Sequence, residues 1–333
     1  HQAAQPRMLD ALLLEHEVDE AATEGVLLAT RILAVDADIA GLQLREHPPE
    51  VTRYFETTQY STPRIHLLSN GSYSVMMTTA GGGYSRCGAT AITRWREDVT
   101  CDNWGQFCYL RDIRSGEIWS TSFQPTLAKP TNYSATFSLG KAEYRREDHE
   151  IETHTTVSVS TEDDAEVRSV RIANLSSEPR ELDVTSYGEI VLTTQAADQA
   201  HQAFSNLFVQ TEFAIGPGAI LATRRKRSPT DPDAWAVHVS AVEGTGVGAP
   251  QFETDRARFI GRSRTTEAPV AVAENRPLSN TSGAVLDPIM SLRRRVRLGP
   301  KEEVTIYFTT AFATSHEQAL ALAGKYSDAG SAS

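Results

Sequence analysis

The sequence predicts an all-β protein, a sandwich of two large antiparallel sheets with short flanking helices. Between residues 63 and 313, short strand-like runs alternate with turn signals every ~8–12 residues, and almost no stretch has a helical period. The strongest local signal is a hairpin over 66–76 with a two-residue turn at Asn70 and Gly71, which both tolerate positive φ. More than ten such strands in one domain imply two stacked sheets.

Alternation of apolar and polar residues predicts the remaining strands. In 292–298, apolar residues occupy one face, and Arg293, Arg295 and Arg297 occupy the other. Further strands are predicted at 107–112, 118–123, 133–139, 151–159, 166–174, 182–192, 219–223, 234–242 and 304–313.

Both ends of the chain read differently from this β region. The first ~20 residues have the helical spacing of Met8, Leu9 and Leu12, and the polar stretch 44–62 reads as a linker. A helix over 315–326 is predicted with Ser315 as its N-cap and Leu320 on its buried side. We therefore expect an amino-terminal helix and linker from an upstream region (1–62), a β domain (63–313), and a linker helix and tail (314–333). Without a start methionine or a signal-peptide shape, the chain is expected to be a piece of a longer protein.

Composition excludes several functional classes. The 333 residues have a net charge of −11, which argues against a nucleic-acid partner because that would need a basic face. No apolar run approaches the ~18 residues of a membrane-spanning helix, so we expect no membrane contact from this segment. Three cysteines (Cys87, Cys101 and Cys108) are too few for a disulfide framework, and the nine histidines have no metal-ligand spacing. We expect no metal and a reducing, cytoplasmic location.

Two neighbouring stretches are candidates for ligand contact. Residues 80–86 form a glycine-rich loop that lacks the ending of a phosphate-binding loop; it either approaches a ligand or neighbouring domain closely, or is a mobile hairpin tip. Residues 93–104 place Trp95 and Trp104 among arginines and carboxylates, as in a sugar-binding surface. The alternative is a surface ion-pair cluster with one indole in the core.

Two charged stretches are candidates for contact with an anion or a partner. The basic run at 221–229 would hold an anion such as phosphate or an acidic partner face, or else be a solvated turn. The stretch 252–262 is dense in charge yet bracketed by Phe252 and Phe259, which suggests partly buried ion pairs of the kind that specify an interface. Neither a carboxylate pair nor a nucleophile motif stands out, so no catalytic residue is assigned.

Specific motifs follow one another in order along the chain. They are LLSNGxY at 67–73, GGGYS at 81–85, TRWRED at 93–98, YLRD at 109–112, SLGK at 138–141, Asn174, TSY at 185–187, RRxRS at 224–228, ETDR at 253–256, FxGR at 259–262 and LDP at 286–288. Together they resemble the amino-terminal β domain of glycoside hydrolase family 94. The resemblance looks closest to the phosphorylase-like region of cyclic β-1,2-glucan synthases, through WRED at 95–98, ADxAH at 197–201 and FSxLFVQT at 204–211.

This resemblance implies a galactose-mutarotase-like supersandwich that precedes an (α/α)6 barrel. In the family, the barrel holds the catalytic aspartate and most of the phosphate site, so this chain alone is expected to be inactive. The family's reaction is reversible phosphorolysis of a β-glucoside. It needs no metal or organic cofactor and uses inorganic phosphate as co-substrate.

The resulting hypothesis is a non-catalytic β domain that shapes the acceptor side of a cleft for a β-glucan or gluco-oligosaccharide. A cysteine at position 87 replaces an expected aromatic residue, which would weaken one sugar contact. A free-standing carbohydrate-binding module and a structural dimerisation domain are the alternatives. The predicted substrate-binding residues are Tyr84, Arg86, Arg94, Trp95, Asp98 and Trp104. The predicted interface residues, which the dimerisation alternative would use, are Arg224, Arg225, Arg227, Asp255, Arg256 and Arg262.

Overall fold

A computed structural model describes residues 52–58, 62–228 and 231–333. The predicted amino-terminal helix lies outside these residues. Within them, the chain forms two large sheets in which every strand pairing is antiparallel. The predicted all-β sandwich is therefore confirmed.

The first sheet, sheet A, has nine strands among the described residues. Their spatial order is β1 (Arg53–Phe55), β8 (Asn132–Ser138), β9 (Lys141–Asp148), β10 (Ile151–Val159), β11 (Ala165–Asn174), β18 (Glu303–Ala313), β15 (Trp235–Glu243), β14 (Ala219–Arg224) and β13 (Val209–Ala214).

The second sheet, sheet B, is centred on one long strand. Its spatial order is β16 (Gly246–Asp255), β17 (Pro288–Leu298), β12 (Arg180–Thr193), β5 (Thr90–Thr93), β4 (Gly83–Cys87), β3 (Tyr73–Thr78) and β2 (Ile65–Ser69), with β6 (Phe107–Asp112) paired to β12 and β7 (Ile118–Ser120) paired to β6.

Six short helices complete the described part of the chain. None of them is long and apolar enough to span a membrane. They are α1 (Gln195–Ala200), α2 (Gln202–Asn206), α3 (Arg256–Ile260), α4 (Val270–Ala273), α5 (His316–Tyr326) and α6 (Ala329–Ala332).

The predicted hairpin is present, but its turn differs from the prediction. Four residues separate the paired Ser69 and Ser74, rather than two. Gly71 has a φ of 106°, whereas Asn70 closes the turn with its side chain, which accepts the backbone N–H groups of Ser72 (3.1 Å) and Tyr73 (2.8 Å). The asparagine thus acts as an Asx-turn residue rather than as a second positive-φ position.

Some strands have no clear alternating signal in the sequence. β9 reads as a charged segment, yet its inward face includes Arg146, whose guanidinium is buried against Asp148 (2.6 Å) and the carbonyl of Ser122 (2.7 Å). β1 lies within the predicted linker and pairs with β8 at the edge of sheet A. Strands of these two kinds cannot be predicted from alternating apolar and polar residues, because neither a buried polar face nor a short edge strand presents a row of apolar residues.

The core fills the space between the two sheets. Trp119, Phe137 and Tyr144 are among its largest members, and each is at most 1% exposed. A second apolar cluster packs α5 against sheet A through Leu322 and Tyr326.

Helix α5 begins as predicted, with the Ser315 hydroxyl accepting the N–H of Gln318 at 3.1 Å. The prediction for Leu320 is wrong, because its side chain is 39% exposed. Ala319, Leu322 and Ala323 share the buried face instead, at the three- and four-residue spacing of one helix side.

A buried polar cluster joins the sheets beneath the strand that bears Tyr84. Glu166 of β11 is fully buried, and it accepts the Ser85 hydroxyl of β4 at 2.9 Å and contacts the Gln106 amide. Burial raises the pKa of Glu166, while the nearby Arg168 opposes that rise. Because Ser85 is fixed inward, the residues on either side of it in β4 face outward.

The glycine-rich loop is packed inside the protein rather than being a mobile tip. A Cβ added to Gly82 would lie 2.4 Å from the carbonyl oxygen of Asp102, and the N–H of Gly83 donates to the carbonyl of Trp104 at 2.7 Å. The glycines therefore permit close approach to segment 102–104 of the same chain, not to a ligand.

We predict that Gly82→Ala lowers the free energy of unfolding by about 1–3 kcal/mol, because the added methyl forces backbone to move in a packed site. Gly140→Ala is the matched control, since nothing lies within 4 Å of a Cβ built there. Urea denaturation of both variants checks the prediction, and equal stabilities would contradict it.

Candidate functional site

An aromatic pair forms the exposed part of the candidate site. Tyr84 extends from β4 and Trp95 follows the end of β5, so the hairpin between the strands brings the two rings together. Their centroids are 5.5 Å apart with planes tilted by 59°. Both side chains are partly exposed and Arg86 beside them is exposed. We name this the Tyr84–Trp95 surface.

A small notch opens between the rings and the end of β12. Its volume is about 40 Å³, and Val191, Gln195 and Asp198 line its far side. Small-molecule pockets usually have several hundred Å³. The notch is therefore too small to enclose a small-molecule ligand, and the exposed area beside it includes the two rings and the neighbouring Arg86.

Beneath this surface lies the buried guanidinium of Arg94, whose side chain has no exposed area. It donates to Asp198 of α1 (Nε–Oδ2, 3.2 Å) and to Asn206 of α2 (Nη2–Oδ1, 2.6 Å), and it pairs closely with Glu189 of β12. Asp287 lies 3.6 Å from its Nη1 atom. Every side of this guanidinium thus faces a side-chain acceptor from a different segment.

Two more arginines complete what we call the Arg94 network. Arg256, at the start of α3, pairs with Glu189 (Nε–Oε1, 2.7 Å) and with Asp287 (3.4 Å). Arg96 pairs with Asp198 at 2.6 Å. Three guanidiniums thus meet three carboxylates, which balances the formal charge in a region where unpaired charge would be costly.

The pKa shifts in the network follow from this pairing. Burial opposes charge on Glu189, but Arg94 and Arg256 outweigh it and hold the pKa of Glu189 below its usual value. Burial, and then repulsion by Glu189, raise the pKa of Asp287. Despite its burial, the pKa of Arg94 is raised by Glu189 and Asp198. Glu189 is thus held in its charged form by the two arginines that contact it.

The structure separates the predicted substrate-binding residues into two groups. Tyr84, Arg86 and Trp95 line the notch at the surface. Arg94 borders the same notch, but its guanidinium is engaged in the network, so it supports the surface from below rather than facing a ligand.

The other two predicted residues lie on the following loop. Asp98 is exposed and accepts the N–H and hydroxyl of Thr100, at 2.8 and 2.6 Å, as a turn residue. The ring of Trp104 is partly exposed and lies 5.9 Å from the Arg96 guanidinium, which links it to the network.

The predicted interface residues also divide. Arg224, Arg225 and Arg227 surround the ring of Phe208. Arg256 instead belongs to the Arg94 network. Asp255 caps α3 by accepting the N–H of Ala257 at 2.9 Å, and Arg262 is exposed just beyond that helix.

The thiols are all free, including the one expected to replace an aromatic residue. Cys87 is partly buried, with Sγ 3.5 Å from an Asp164 carboxylate oxygen. Burial, then the Asp164 charge, raise the pKa of Cys87 to about 12. Among the described residues, no three His, Cys, Asp or Glu side chains gather as metal ligands.

Sequence reasoning missed the network members Tyr187, Glu189, Asp198, Asn206 and Asp287 as site residues. Tyr187, Asp198 and Asp287 are specified residues of motifs that carry the family resemblance, which was the available signal. Asn206 stands at an unspecified position within one of these motifs. Glu189 lies in none, but it follows Tyr187 by two residues and so shares its strand face, where the Tyr187 hydroxyl donates to it at 2.8 Å.

Fold and site together define an all-β domain of two antiparallel sheets with an aromatic surface above a buried ion network. Residues 49–329 match the family described as "Glycosyl hydrolase 94, supersandwich domain". The chain belongs to this family, as its motifs predicted.

Relatives agree with that assignment. The chain is 39% identical over 251 residues to the cyclic beta-(1,2)-glucan synthase NdvB of Rhizobium meliloti, covering 75% of this chain and 9% of that protein. It is 26% identical over 247 residues to the N,N'-diacetylchitobiose phosphorylase of Vibrio furnissii, covering 73% of this chain and 30% of that enzyme. The chain thus spans less than a third of either relative. Among solved structures, a galactose mutarotase-like protein of Clostridium acetobutylicum matches with a TM-score of 0.40 and 8% identity, covering 79% of this chain and 99% of that one.

We predict that Arg94→Met lowers the free energy of unfolding by about 3–5 kcal/mol, since it leaves buried carboxylates without their partner. The exposed Arg86 is the matched control, and Arg86→Met should change stability by no more than about 0.5 kcal/mol. Urea denaturation measures both variants. If Arg94→Met lowered the free energy of unfolding no more than Arg86→Met does, the pairing of buried charges in the network would not stabilise the fold.

Proposed function

We propose that this domain is the non-catalytic, carbohydrate-contacting part of a β-glucan-active enzyme of the glycoside hydrolase 94 family. The observation that carries the proposal is the Tyr84–Trp95 surface, two partly exposed rings held over a buried ion network. Apolar faces of sugar rings stack on such aromatic groups, while guanidiniums bind hydroxyls.

In this proposal the domain shapes the acceptor side of a cleft whose other side is an (α/α)6 barrel. The names of the relatives, a glucan synthase and disaccharide phosphorylases, support a β-linked glucan or gluco-oligosaccharide as the ligand. The general acid would come from the barrel, and inorganic phosphate would be the co-substrate of the whole enzyme, with no metal or organic cofactor.

Domain organisation follows the same proposal. Residues 63–313 would be the supersandwich, 1–62 a connection from an upstream region that adds β1 to the edge of sheet A, and 314–333 the link toward the barrel. Three free thiols support a reducing compartment and hence a cytoplasmic location for this part of the enzyme.

The test is a calorimetric titration of the chain with β-1,2-gluco-oligosaccharides, with cello-oligosaccharides as the linkage control. We expect saturable binding that Trp95→Ala weakens at least about tenfold, equivalent to about 1.4 kcal/mol, because the stacking face is lost.

Trp235→Ala is the matched control. This partly exposed tryptophan begins β15 in sheet A and packs against His316, away from the notch residues. It should leave the affinity unchanged. Absence of saturable binding, or equal losses in the two variants, would overturn sugar recognition by the Tyr84–Trp95 surface. The domain would then be a scaffold or dimerisation unit.

A further inference from the structure

A second cavity lies next to the Tyr84–Trp95 surface, on the other side of the end of β12. Its volume is about 270 Å³, and it is lined by Thr90, Thr193, Thr194 and the basic run that follows β14. Val191 lines the notch, while residues 192–194 line this cavity, so consecutive residues of one segment separate the two. We name it the arginine pocket.

Three arginines of this pocket are arranged around one aromatic ring. The guanidinium carbons of Arg224, Arg225 and Arg227 lie 5.3, 5.3 and 4.8 Å from the ring centroid of Phe208. Arg227 also lies 5.2 Å from the ring of Phe204, which packs edge-on against Phe208. A guanidinium over an aromatic ring is attracted by the negative face of the ring, which favours a gathered arrangement over free side chains.

These positive charges have no carboxylate partner in the part of the chain that the structure describes. None of the three arginines has an ion pair within 4 Å, whereas Lys226 in the same run pairs with Asp233 at 2.8 Å. The carboxylate of Asp231, which also lines the pocket, accepts the backbone N–H of Arg227 at 2.9 Å.

Arg224 is the half-buried member of the three. Burial, and then the positive charge of Arg227, lower the pKa of Arg224. Its Nη1 atom reaches only backbone carbonyls, those of Ser205 at 3.0 Å and Val191 at 3.4 Å. A bound anion would relieve repulsion among the three guanidiniums, in contrast to the Arg94 network, where charges already balance.

We propose that the arginine pocket binds a small phosphate-type oxyanion. Planar guanidiniums present paired donors that match phosphoryl oxygens, and the threonines at the rim add hydroxyl donors. The one acid in its lining is already bonded to backbone, so the pocket holds the anion rather than transferring a proton to it. The shared chemistry is the phosphoryl group, either free or attached to a sugar.

The test uses inorganic phosphate, with sulfate and chloride compared at constant ionic strength. We expect saturable phosphate binding by calorimetry, weakened at least about tenfold in Arg225→Gln/Arg227→Gln, because two bidentate donors are lost. Lys226→Gln is the matched control from the same run, and its affinity should stay within about twofold of the unmodified chain. Arg225 and Arg227 are exposed, so both variants should fold; the double variant should melt at a somewhat lower temperature because its contacts with the Phe204 and Phe208 rings are lost.

A second series distinguishes the two sources of the phosphoryl group. Glucose 1-phosphate that displaces phosphate and binds more tightly indicates a sugar phosphate, whereas equal or weaker binding indicates the free ion. Either result supports the pocket.

Three results would overturn the proposal: no saturable phosphate binding, an equal loss in Lys226→Gln, or a change of oligomeric state in Arg225→Gln/Arg227→Gln without a change in anion affinity. The last would identify these arginines as an interface. None of these outcomes depends on oligosaccharide binding, so this proposal and the proposed function fail separately.

Discussion

The buried guanidinium of Arg94 is the group on which the candidate site depends. Removing a positive charge from water costs several kcal/mol unless close partners replace the lost hydration. Here the partners come from β12, α1, α2 and the loop before β17, all distant in sequence. The contacts that pair the buried charge of Arg94 thus also hold the short helices α1 and α2 against sheet B. These helices are too short to be stable by themselves.

Strand β12 is the physical link between this network and the two surfaces. It has fourteen residues, pairs with β17 along one edge, and meets β6 and then β5 along the other. Tyr187 and Glu189, in the second half of β12, contribute side chains to the Arg94 network. The final residues of β12 separate the notch from the arginine pocket. The aromatic and the cationic surface consequently lie on either side of the end of one strand, whose pairing with β5 is irregular between Ile190 and Thr193.

Sequence patterning predicted the fold well where a strand has one apolar face. β10 and β6 were predicted with their observed bounds, and β17 alternates as expected, with Arg295 reaching Asp183 of β12 at 2.7 Å. β9 was missed because its inward face contains the buried Arg146–Asp148 pair, which reads as a solvated charge run. Leu320 is apolar, but the helix period places it outside the buried face that Ala319, Leu322 and Ala323 share.

The candidate site was predictable only in part, because the order of residues along the chain does not show which charged side chains form ion pairs in the fold. Trp95 was identified beside its arginines, but nothing in the sequence places Arg94 opposite Glu189 of another strand. Family motifs from residues 93–98, 197–201, 204–211 and 286–288 each contribute to the Arg94 network. Their common role became visible only when folding brought them together. The arginines at 224–227 were identified as a basic run, while their arrangement around Phe208 required the fold.

Hydrogen–deuterium exchange of Arg94→Met beside the unmodified chain tests most directly whether one buried charge organises this region. The account predicts a joint loss of protection in α1, α2 and α3, with α5 unchanged because its apolar packing on sheet A is independent. Loss confined to the immediate neighbours of residue 94, or spread equally over α5, would contradict it.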